Sequence, residues 1–338
     1  MTCAASLGLP PSGPLAVLGA GAWGTVVASL LARNGHEVRL WSQREQLADA
    51  INASRRNEQY VPGLALPPSV RATADLAAAV RGCVLAFMAV PSKAFRQVSE
   101  SLVEVGAPPA LVSCSKGLEV ATFKRLSQVV AEYLPAVPLA VVSGPNLATE
   151  IAADKPAATT VASPDAHLAK RVQQLLQQST FRAYTSVDMV GVEIAGALKN
   201  VIALACGVSD GLGLGNNTNA SSITGGLAES ARFGIATGRQ AATFYGLAGV
   251  GDLVATCSSS ESRNHKVGVL LADGATLAEI EASGLTAEGV PTVKALHGAI
   301  LGSGVELPIS REVYSVVFEA KDPRDAISSL MTRAERAE

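Results

Sequence analysis

One lysine stands out among the residues that could do chemistry. Lys199 is the only cation between Asp188 and Asp210, in a stretch that is otherwise mostly apolar. Burial disfavours the charged ammonium and so favours proton transfer near neutral pH. The alternative is a lysine whose aliphatic stem covers apolar surface while its ammonium stays in water. The pattern of residue types leaves both interpretations open.

A second candidate group is the segment SSSESRNHK (258–266), which precedes the apolar helical stretch VGVLL. Hydroxyl and amide side chains at a helix start, together with the guanidinium of Arg263, are typical of an anion site. An ordinary serine N-cap would explain the serines, but it would leave Arg263 and Asn264 without a role. The segment therefore favours a phosphate site.

The third group is a glycine motif near the start of the chain. Gly19, Gly21 and Gly24 form GxGxxG directly after the apolar run LAVL (15–18), and a helical pattern follows. Gly19 permits a tight turn, Gly21 lets a pyrophosphate approach the backbone, and Gly24 allows close helix–strand packing. In this strand–turn–helix context the motif predicts dinucleotide binding, with the pyrophosphate at the helix N-terminus.

The residues after the second predicted strand, EVRLW (37–41), bear on the choice of cofactor. An NAD-selective site usually has an acidic residue here, which holds the ribose diol. This chain has Ser42, Gln43 and Arg44 instead. Arg44 could face the 2′-phosphate of NADP, or it could be an exposed loop residue. Both NAD and NADP remain open.

Three further strand candidates end in loops that could line a pocket. Pro91 and Ser92 close the first, Lys116 follows the second, and Gly144 and Asn146 follow the third. Ligands of open α/β sheets bind at the carboxyl ends of the strands. A lysine after a strand is usually just solvated, but three such ends in succession favour a pocket.

Alternating strands and helices would position these loops. The strand candidates are 15–18, 37–41, 83–90, 110–115, 139–144 and 157–163. They predict an α/β fold with an N-terminal Rossmann-type doubly wound parallel sheet, and the helical patterns after 188 predict an all-helical C-terminal domain. We expect a flexible tail over 1–13, a dinucleotide-binding domain over 14–187 and a helical substrate domain over 188–338.

Composition excludes several classes of function. The chain has 338 residues, 48% hydrophobic and 17% charged, with a net charge of −2, which argues against nucleic-acid binding. Five scattered cysteines and four dispersed histidines predict free thiols and no metal site. The start lacks the basic region of a secretory signal. The apolar stretch 189–208 contains Glu193, Lys199 and Asn200, so we expect a buried helix, no membrane insertion and a cytoplasmic protein.

Taken together, these motifs resemble the bacterial NAD(P)-dependent glycerol-3-phosphate dehydrogenase family over nearly the whole chain. The most specific segments are SKGLE (115–119), VSGPN (142–146), GALKNVIA (196–203), GVSDGLGLG (207–215), GLAGVGDLVATC (246–257) and SRN (262–264). The resemblance implies an oxidoreductase that interconverts sn-glycerol 3-phosphate and dihydroxyacetone phosphate with NAD or NADP. It also implies a supply of glycerol 3-phosphate for phospholipid synthesis, and a homodimer.

The motifs and the resemblance together predict the site residues. Lys199 matches the family's proton donor and acceptor. The predicted substrate-binding residues are Lys116, Gly144, Asn146, Lys199, Asn200, Asp252, Thr256, Ser262, Arg263 and Asn264. The predicted cofactor-binding residues are Gly19, Gly21, Ala22, Trp23, Gly24, Gln43, Arg44, Pro91, Lys116, Ala148, Arg263 and Glu288.

The chain departs from the family pattern at three positions. Asn146 replaces the usual Ser or Thr, Thr149 a Lys, and Gly225 an Arg. Two other functions compete with the resemblance. A hydroxy-acid dehydrogenase would need a carboxylate clamp, and an NAD(P)-sensing protein would not need Lys199, Asp252 and Arg263 together.

Overall fold

The computed structural model describes residues 12–301 and 304–334, so the predicted tail lies almost entirely outside the described residues. The chain forms two compact units. Unit 1 comprises Met1–Lys116 and Leu126–Met189, and unit 2 comprises Gly117–Arg125 and Val190–Glu338. A short excursion from the N-terminal half, 117–125, thus packs as part of unit 2.

Unit 1 contains one sheet of eight strands in the described residues, in the order β3-β2-β1-β4-β5-β6-β7-β8. The strands are β1 Leu15–Leu18, β2 Val38–Trp41, β3 Val70–Thr73, β4 Leu85–Met88, β5 Leu111–Ser113, β6 Leu139–Ser143, β7 Ala157–Ala162 and β8 Phe181–Ser186. The helices are α1 Ala22–Arg33, α2 Glu45–Ser54, α3 Leu76–Val80, α4 Phe95–Val105, α5 Leu126–Tyr133, α6 Ala148–Ala152 and α7 Ala166–Leu176.

The sheet is covered on both faces, because successive residues of a strand point to opposite sides. In β1, Leu15 and Val17 belong to one buried hydrophobic cluster, whereas Ala16 and Leu18 belong to the other. This two-sided core and the strand order confirm the predicted doubly wound α/β class.

Two details differ from the predicted sheet. β3 and β8 were not among the predicted strands, and β7 pairs with β6 in the antiparallel sense. For two successive strands to pair in the parallel sense, the connection between them must run back along the sheet. The connection 144–156 contains only the one-turn helix α6, so β7 starts at the end of the sheet where β6 finishes. The eleven-residue α7 supplies such a crossover, and β8 is parallel to β7.

The described residues of unit 2 form helices, apart from an isolated bridge between Leu118 and Arg125. The helices are α8 Met189–Gly211, α9 Asn216–Ala236, α10 Ala241–Phe244, α11 Asp252–Cys257, α12 Arg263–Ala272, α13 Leu277–Ala282, α14 Gly289–Ile300, α15 Pro308–Phe318 and α16 Pro323–Met331. A π-helical turn, Leu247–Gly251, leads into α11.

Helix α8 is the centre of unit 2. By length and composition alone it could cross a membrane, but 83% of its apolar 18-residue stretch is buried within the protein. The core helix of a folded domain has this character. The polar side chains of Glu193, Lys199 and Asn200 lie inside this buried surface.

Candidate functional site

The three motif glycines of unit 1 differ in the space around them. Gly19 has a φ of +115°, and a Cβ there would lie 2.7 Å from the carbonyl oxygen of Ala89. A Cβ on Gly24 would lie 1.8 Å from the carbonyl oxygen of Gly19, whereas one on Gly21 meets nothing within 4 Å. The first and last glycines therefore close the turn onto the sheet, and the middle one leaves the backbone open to a ligand.

The glycine turn is supported by an asparagine that no sequence motif identifies. Asn57 is 1% exposed, and its Nδ2 donates to the carbonyl oxygen of Ala20 at 2.9 Å and to Thr25 Oγ1 at 2.8 Å. It thereby joins the turn to the first helical turn of α1. The sequence pattern could not identify this residue, because the contact spans 37 positions.

The loop after β2 presents the residues expected near the ribose. Gln43 and Arg44 are exposed, and Arg44 donates to the hydroxyl of Tyr60 at 2.9 Å. A cavity of about 780 Å³ opens beside Arg44 and also contacts Leu47 and Arg56. Arg44 thus has a protein partner in Tyr60 and open space beside it.

The loops after β5 and β6 meet at the carboxyl end of the sheet. Lys116 Nζ donates to the carbonyl oxygen of Gly144 at 2.9 Å. Asn146 Nδ2 donates to Thr159 Oγ1 at 2.9 Å, and that hydroxyl donates to the Ser143 carbonyl oxygen at 3.2 Å. The structure therefore brings Lys116, Gly144 and Asn146 into one cluster, and the amide of Asn146 is fixed by β7.

The remaining predicted cofactor residues of unit 1 lie at element starts. Pro91 precedes a 3₁₀ turn, Ser92–Ala94, and the preceding residue Val90 accepts a hydrogen bond from Ser115 Oγ at 2.5 Å. Ala22, Trp23 and Ala148 are half-buried and pack against the same hydrophobic cluster. Trp23 also lies 6.4 Å from the ring of Phe181.

The charged centre of unit 2 is Lys199. Its Nζ donates to Asp252 Oδ1 and to Thr256 Oγ1, both at 2.7 Å, and Thr256 Oγ1 lies 3.3 Å from the same carboxylate oxygen. Lys199 is 8% exposed and Asp252 is 1% exposed. The ammonium is therefore buried among protein partners, and the alternative of an ammonium reaching water is wrong.

Two buried cysteines, Cys206 and Cys257, lie close to this triad. Asp252 offsets much of the cost of burying the ammonium, because an isolated buried charge would be strongly unfavourable. Cys257 follows Thr256 on α11, and its thiol contacts that of Cys206. This hydrogen bond and burial both raise the pKa of the Cys257 thiol, so it stays neutral beside the ion pair.

The start of α12 lies against α8. Asn264 Nδ2 donates to Asn200 Oδ1 at 2.9 Å, and Asn264 Oδ1 accepts from the backbone N–H of Gly289 at 2.8 Å. Ser262 is the N-cap of α12, and its Oγ accepts from the N–H of His265 at 3.3 Å. Ser262 therefore caps the helix, as the interpretation of an ordinary serine N-cap requires.

Arg263 is the exposed member of this group, next to the buried Asn264. Glu288 is half-buried at the start of α14 and adjoins Gly289. Unit 2 thus gathers one set of predicted residues around α8: Lys199, Asn200, Asp252, Thr256, Ser262, Arg263, Asn264 and Glu288. The described residues contain no group of three or more His, Cys, Asp or Glu side chains arranged to hold a metal ion.

Family models match both halves of the chain. The model described as the N-terminus of NAD-dependent glycerol-3-phosphate dehydrogenase matches residues 14–169. The model described as its C-terminus matches residues 188–328.

Relatives and solved structures agree with these matches. A glycerol-3-phosphate dehydrogenase (NAD(P)+) of Streptomyces griseus is 48% identical, with 96% of this chain and 97% of the relative covered. That of Geobacillus kaustophilus is 46% identical, with 96% of each covered. The crystal structure of the Coxiella burnetii glycerol-3-phosphate dehydrogenase is 38% identical, covers 96% of this chain and 100% of its own, and superposes with a TM-score of 0.91. The glycine turn, the buried lysine and these matches place the chain in the NAD-dependent glycerol-3-phosphate dehydrogenase family.

Proposed function

We propose that this protein catalyses the NAD(P)-dependent interconversion of sn-glycerol 3-phosphate and dihydroxyacetone phosphate, with Lys199 as the acid/base group. The observation that carries the proposal is the buried ion pair of Lys199 with Asp252, next to the amide bridge from Asn200 to Asn264. Asn200, the chain neighbour of Lys199, thereby links the proposed proton-transfer group to the start of α12.

The cofactor fits the glycine turn of unit 1. Gly21 offers an open backbone surface where a Cβ would meet nothing within 4 Å, and α1 begins without a side-chain cap on its N–H groups. Such N–H groups bind a pyrophosphate. The nicotinamide, when bound, supplies the hydride acceptor or donor. Lys116 and Ala148 would line the cofactor from the following loops.

Lys199 would move the proton. An ammonium has three N–H donors, and two of them bond Asp252 and Thr256. The third can bond the oxygen on C2 of the substrate. In reduction, Lys199 gives that oxygen a proton as the alkoxide forms, and in oxidation the neutral amine takes the hydroxyl proton. The positive charge also stabilises the developing alkoxide.

Arg263 and the start of α12 would bind the phosphate. The exposed guanidinium can make charge-assisted bonds to phosphate oxygens, and the first N–H groups of a helix favour an anion. Asn264 Nδ2 has two N–H donors, one of which bonds Asn200. The other can bond the phosphate.

These assignments give the two parts of the chain different roles. We propose that residues 14–187 bind the cofactor and residues 188–338 bind the substrate and form a homodimer. The product, glycerol 3-phosphate, would supply phospholipid synthesis in the cytoplasm. The dimer rests on the family resemblance, and the location rests on the composition of the sequence.

A spectrophotometric assay tests the activity. Purified protein should oxidise NADH or NADPH, followed at 340 nm, when dihydroxyacetone phosphate is added. Unphosphorylated dihydroxyacetone and pyruvate serve as controls, because one lacks the phosphate and the other replaces it with a carboxylate. Turnover of pyruvate at the rate of dihydroxyacetone phosphate would favour a hydroxy-acid dehydrogenase. Cofactor binding without turnover of any substrate would favour a sensing protein.

A further inference from the structure

The two helices that carry the substrate-side residues of unit 2 cross at glycines. Helix α8 carries Lys199, and helix α12 begins at Arg263. A Cβ built on Gly207 of α8 would lie 2.1 Å from the carbonyl oxygen of His265, in the first turn of α12. Ordinary contacts between such atoms are near 3.5 Å, so the helix backbones touch with no room for a side chain.

The contact is reciprocal and continues along both helices. A Cβ on Gly268 of α12 would lie 2.2 Å from the carbonyl oxygen of Leu204 on α8. One turn further along α8, a Cβ on Gly211 would lie 2.6 Å from the Cβ of Ala272. Gly207, Gly211, Gly268 and Ala272 therefore lie at the crossing, and the lack of large side chains at these positions allows the close packing of the two backbones.

Polar contacts fix the register of the same crossing. Asn200 on α8 bonds Asn264 on α12 at 2.9 Å. Ten residues along α8, Asp210 Oδ2 lies 2.7 Å from Nε2 of His265. The first turn of α12 is thus held against α8 by an amide bridge, a backbone contact and a carboxylate–imidazole contact. A small change in the crossing distance would move Arg263 and Asn264 together.

We propose that the glycine crossing at Gly207 and Gly268 sets the distance between the proton-transfer group and the phosphate site, and so selects phosphate esters whose carbonyl carbon lies one methylene group from the ester oxygen. This inference rests on the proposed function. In dihydroxyacetone phosphate the carbonyl carbon and the ester oxygen are separated by a single methylene group. The carbonyl oxygen must reach Lys199 on α8 while the phosphate reaches α12. Gly207 and Gly268 act as positioning residues, because they set this distance through the helices.

The variant Gly207→Ala tests the proposal. The new Cβ must displace the first turn of α12 by roughly 1 Å to reach a normal contact distance. A misplacement of this size can cost about 100-fold in rate. We expect kcat/KM for dihydroxyacetone phosphate to fall between about 10-fold and 100-fold.

Inhibition by inorganic phosphate distinguishes a changed distance from general damage to the site, because general damage would also weaken phosphate binding. It should inhibit competitively with dihydroxyacetone phosphate by binding at the start of α12. In Gly207→Ala the phosphate-binding groups move as one body, so the inhibition constant should stay within about threefold of the wild-type value. A lower kcat/KM with an unchanged phosphate inhibition constant is the result expected for a changed distance.

The control variant is Gly234→Ala on α9. Its Cβ would meet the ring of Phe244 at 2.1 Å, so the overlap is as close, but it involves a side chain and not the backbone of α12. We expect a lower melting temperature with kcat/KM unchanged.

A milder pair keeps the test decisive if Gly207→Ala does not fold. In Gly211→Ala the new Cβ would lie 2.6 Å from the methyl group of Ala272 and 3.0 Å from the carbonyl oxygen of Val269, and the variant should lower kcat/KM about threefold. Adding Ala272→Gly removes that methyl and should restore most of the loss. The proposal is overturned if kcat/KM is unchanged in Gly207→Ala, if the phosphate inhibition constant rises in step, or if the second substitution rescues nothing. Wild-type protein that does not turn over dihydroxyacetone phosphate would instead refute the proposed function itself.

Discussion

At the scale of single residues, the chemistry depends on one buried ion pair. Lys199 has two protein acceptors within 2.7 Å, which hold its ammonium in one orientation. Preorganised charge of this kind stabilises a developing alkoxide without rearrangement during the reaction. Removing the nitrogen should therefore affect the chemical step more than the binding of either ligand.

The variant Lys199→Met tests this role, since methionine roughly keeps the volume. Loss of general acid/base catalysis should lower kcat by about 10²–10⁴-fold, with NADH affinity near that of the wild type. The measurements are steady-state kinetics and NADH fluorescence titration. Lys170→Met, an exposed lysine on α7, is the matched control. A kcat within tenfold of wild type would make Lys199 structural and would direct attention to Lys116.

Arg44 decides a second question at this scale, the choice between NADH and NADPH. The loop after β2 has no acidic residue, so we expect activity with both cofactors. If Arg44 meets the 2′-phosphate, Arg44→Ala should raise the KM for NADPH about tenfold, the equivalent of one lost charge-assisted bond. The KM for NADH should not change.

Arg71→Ala, at another exposed arginine of unit 1, controls for the loss of a positive charge. Equal changes in both KM values would show that Arg44 does not recognise the 2′-phosphate. It would then belong to the loop, where it already bonds Tyr60.

At the scale of elements, the sequence predicts the interior of the sheet better than its edges. The predicted strands correspond to β1, β2 and β4–β7, and β1 and β4 are fully buried apolar runs. The strands that were missed, β3 and β8, lie at the two ends of the sheet order. Edge strands expose alternate residues and tolerate charge. Arg182 and Tyr184 in β8 are accordingly exposed, and such short mixed segments resemble loops.

The site is predictable only in part, for a related reason. Residue types identify Lys199 and Arg263, because a lone cation in an apolar helix and an arginine at a helix start are local patterns. The partners are remote in sequence: Asp252 lies 53 positions from Lys199. The spacing of residue types along the chain does not predict such a contact. Asp252 entered the prediction through the family resemblance, and Asn57 was missed.

Helix α15 provides an element-scale prediction. It begins without a cap of its own, and the buried carboxylate of Glu229 on α9 accepts hydrogen bonds from the backbone N–H groups of Ile309 and Ser310 and from Ser310 Oγ. Glu229→Gln would turn an amide NH₂ towards these donors. We expect a loss of about 1–3 kcal/mol of unfolding free energy, measured by urea denaturation.

The loss of unfolding free energy caused by Glu229→Gln should depend on pH. Burial raises the pKa of the Glu229 carboxyl above its ordinary value of 4.5. The folded state therefore binds the proton more tightly than the unfolded state, and this contribution to stability is full below 4.5 and declines as pH rises through the folded pKa. The stability gap between wild type and Glu229→Gln should narrow over that interval. A gap that widens over the same interval would contradict this expectation.

At the scale of the whole molecule, each unit contains two buried cysteines that can report its opening. Cys83 and Cys114 lie in unit 1, and Cys206 and Cys257 lie in unit 2. Burial raises the pKa of Cys83 to about 11 and that of Cys114 to about 12, so both are neutral and shielded at pH 8. A thiol reagent can reach them only when the surrounding unit opens.

This arrangement allows ligand stabilisation to be assigned to one unit. In a Cys3→Ser background, we expect the native protein to react with Ellman's reagent far more slowly than the urea-unfolded protein. A ligand that binds only the folded form suppresses opening by the factor 1 + [L]/Kd. Because the cofactor is proposed to bind unit 1, NADH at about 100 Kd should slow the Cys83 and Cys114 thiols up to about 100-fold. The variants Cys83→Ala/Cys114→Ala and Cys206→Ala/Cys257→Ala each leave one unit's thiols to be followed. Equal slowing of both pairs would mean that the units open together, whereas slowing of the unit 2 pair alone would contradict the assignment of the cofactor to unit 1.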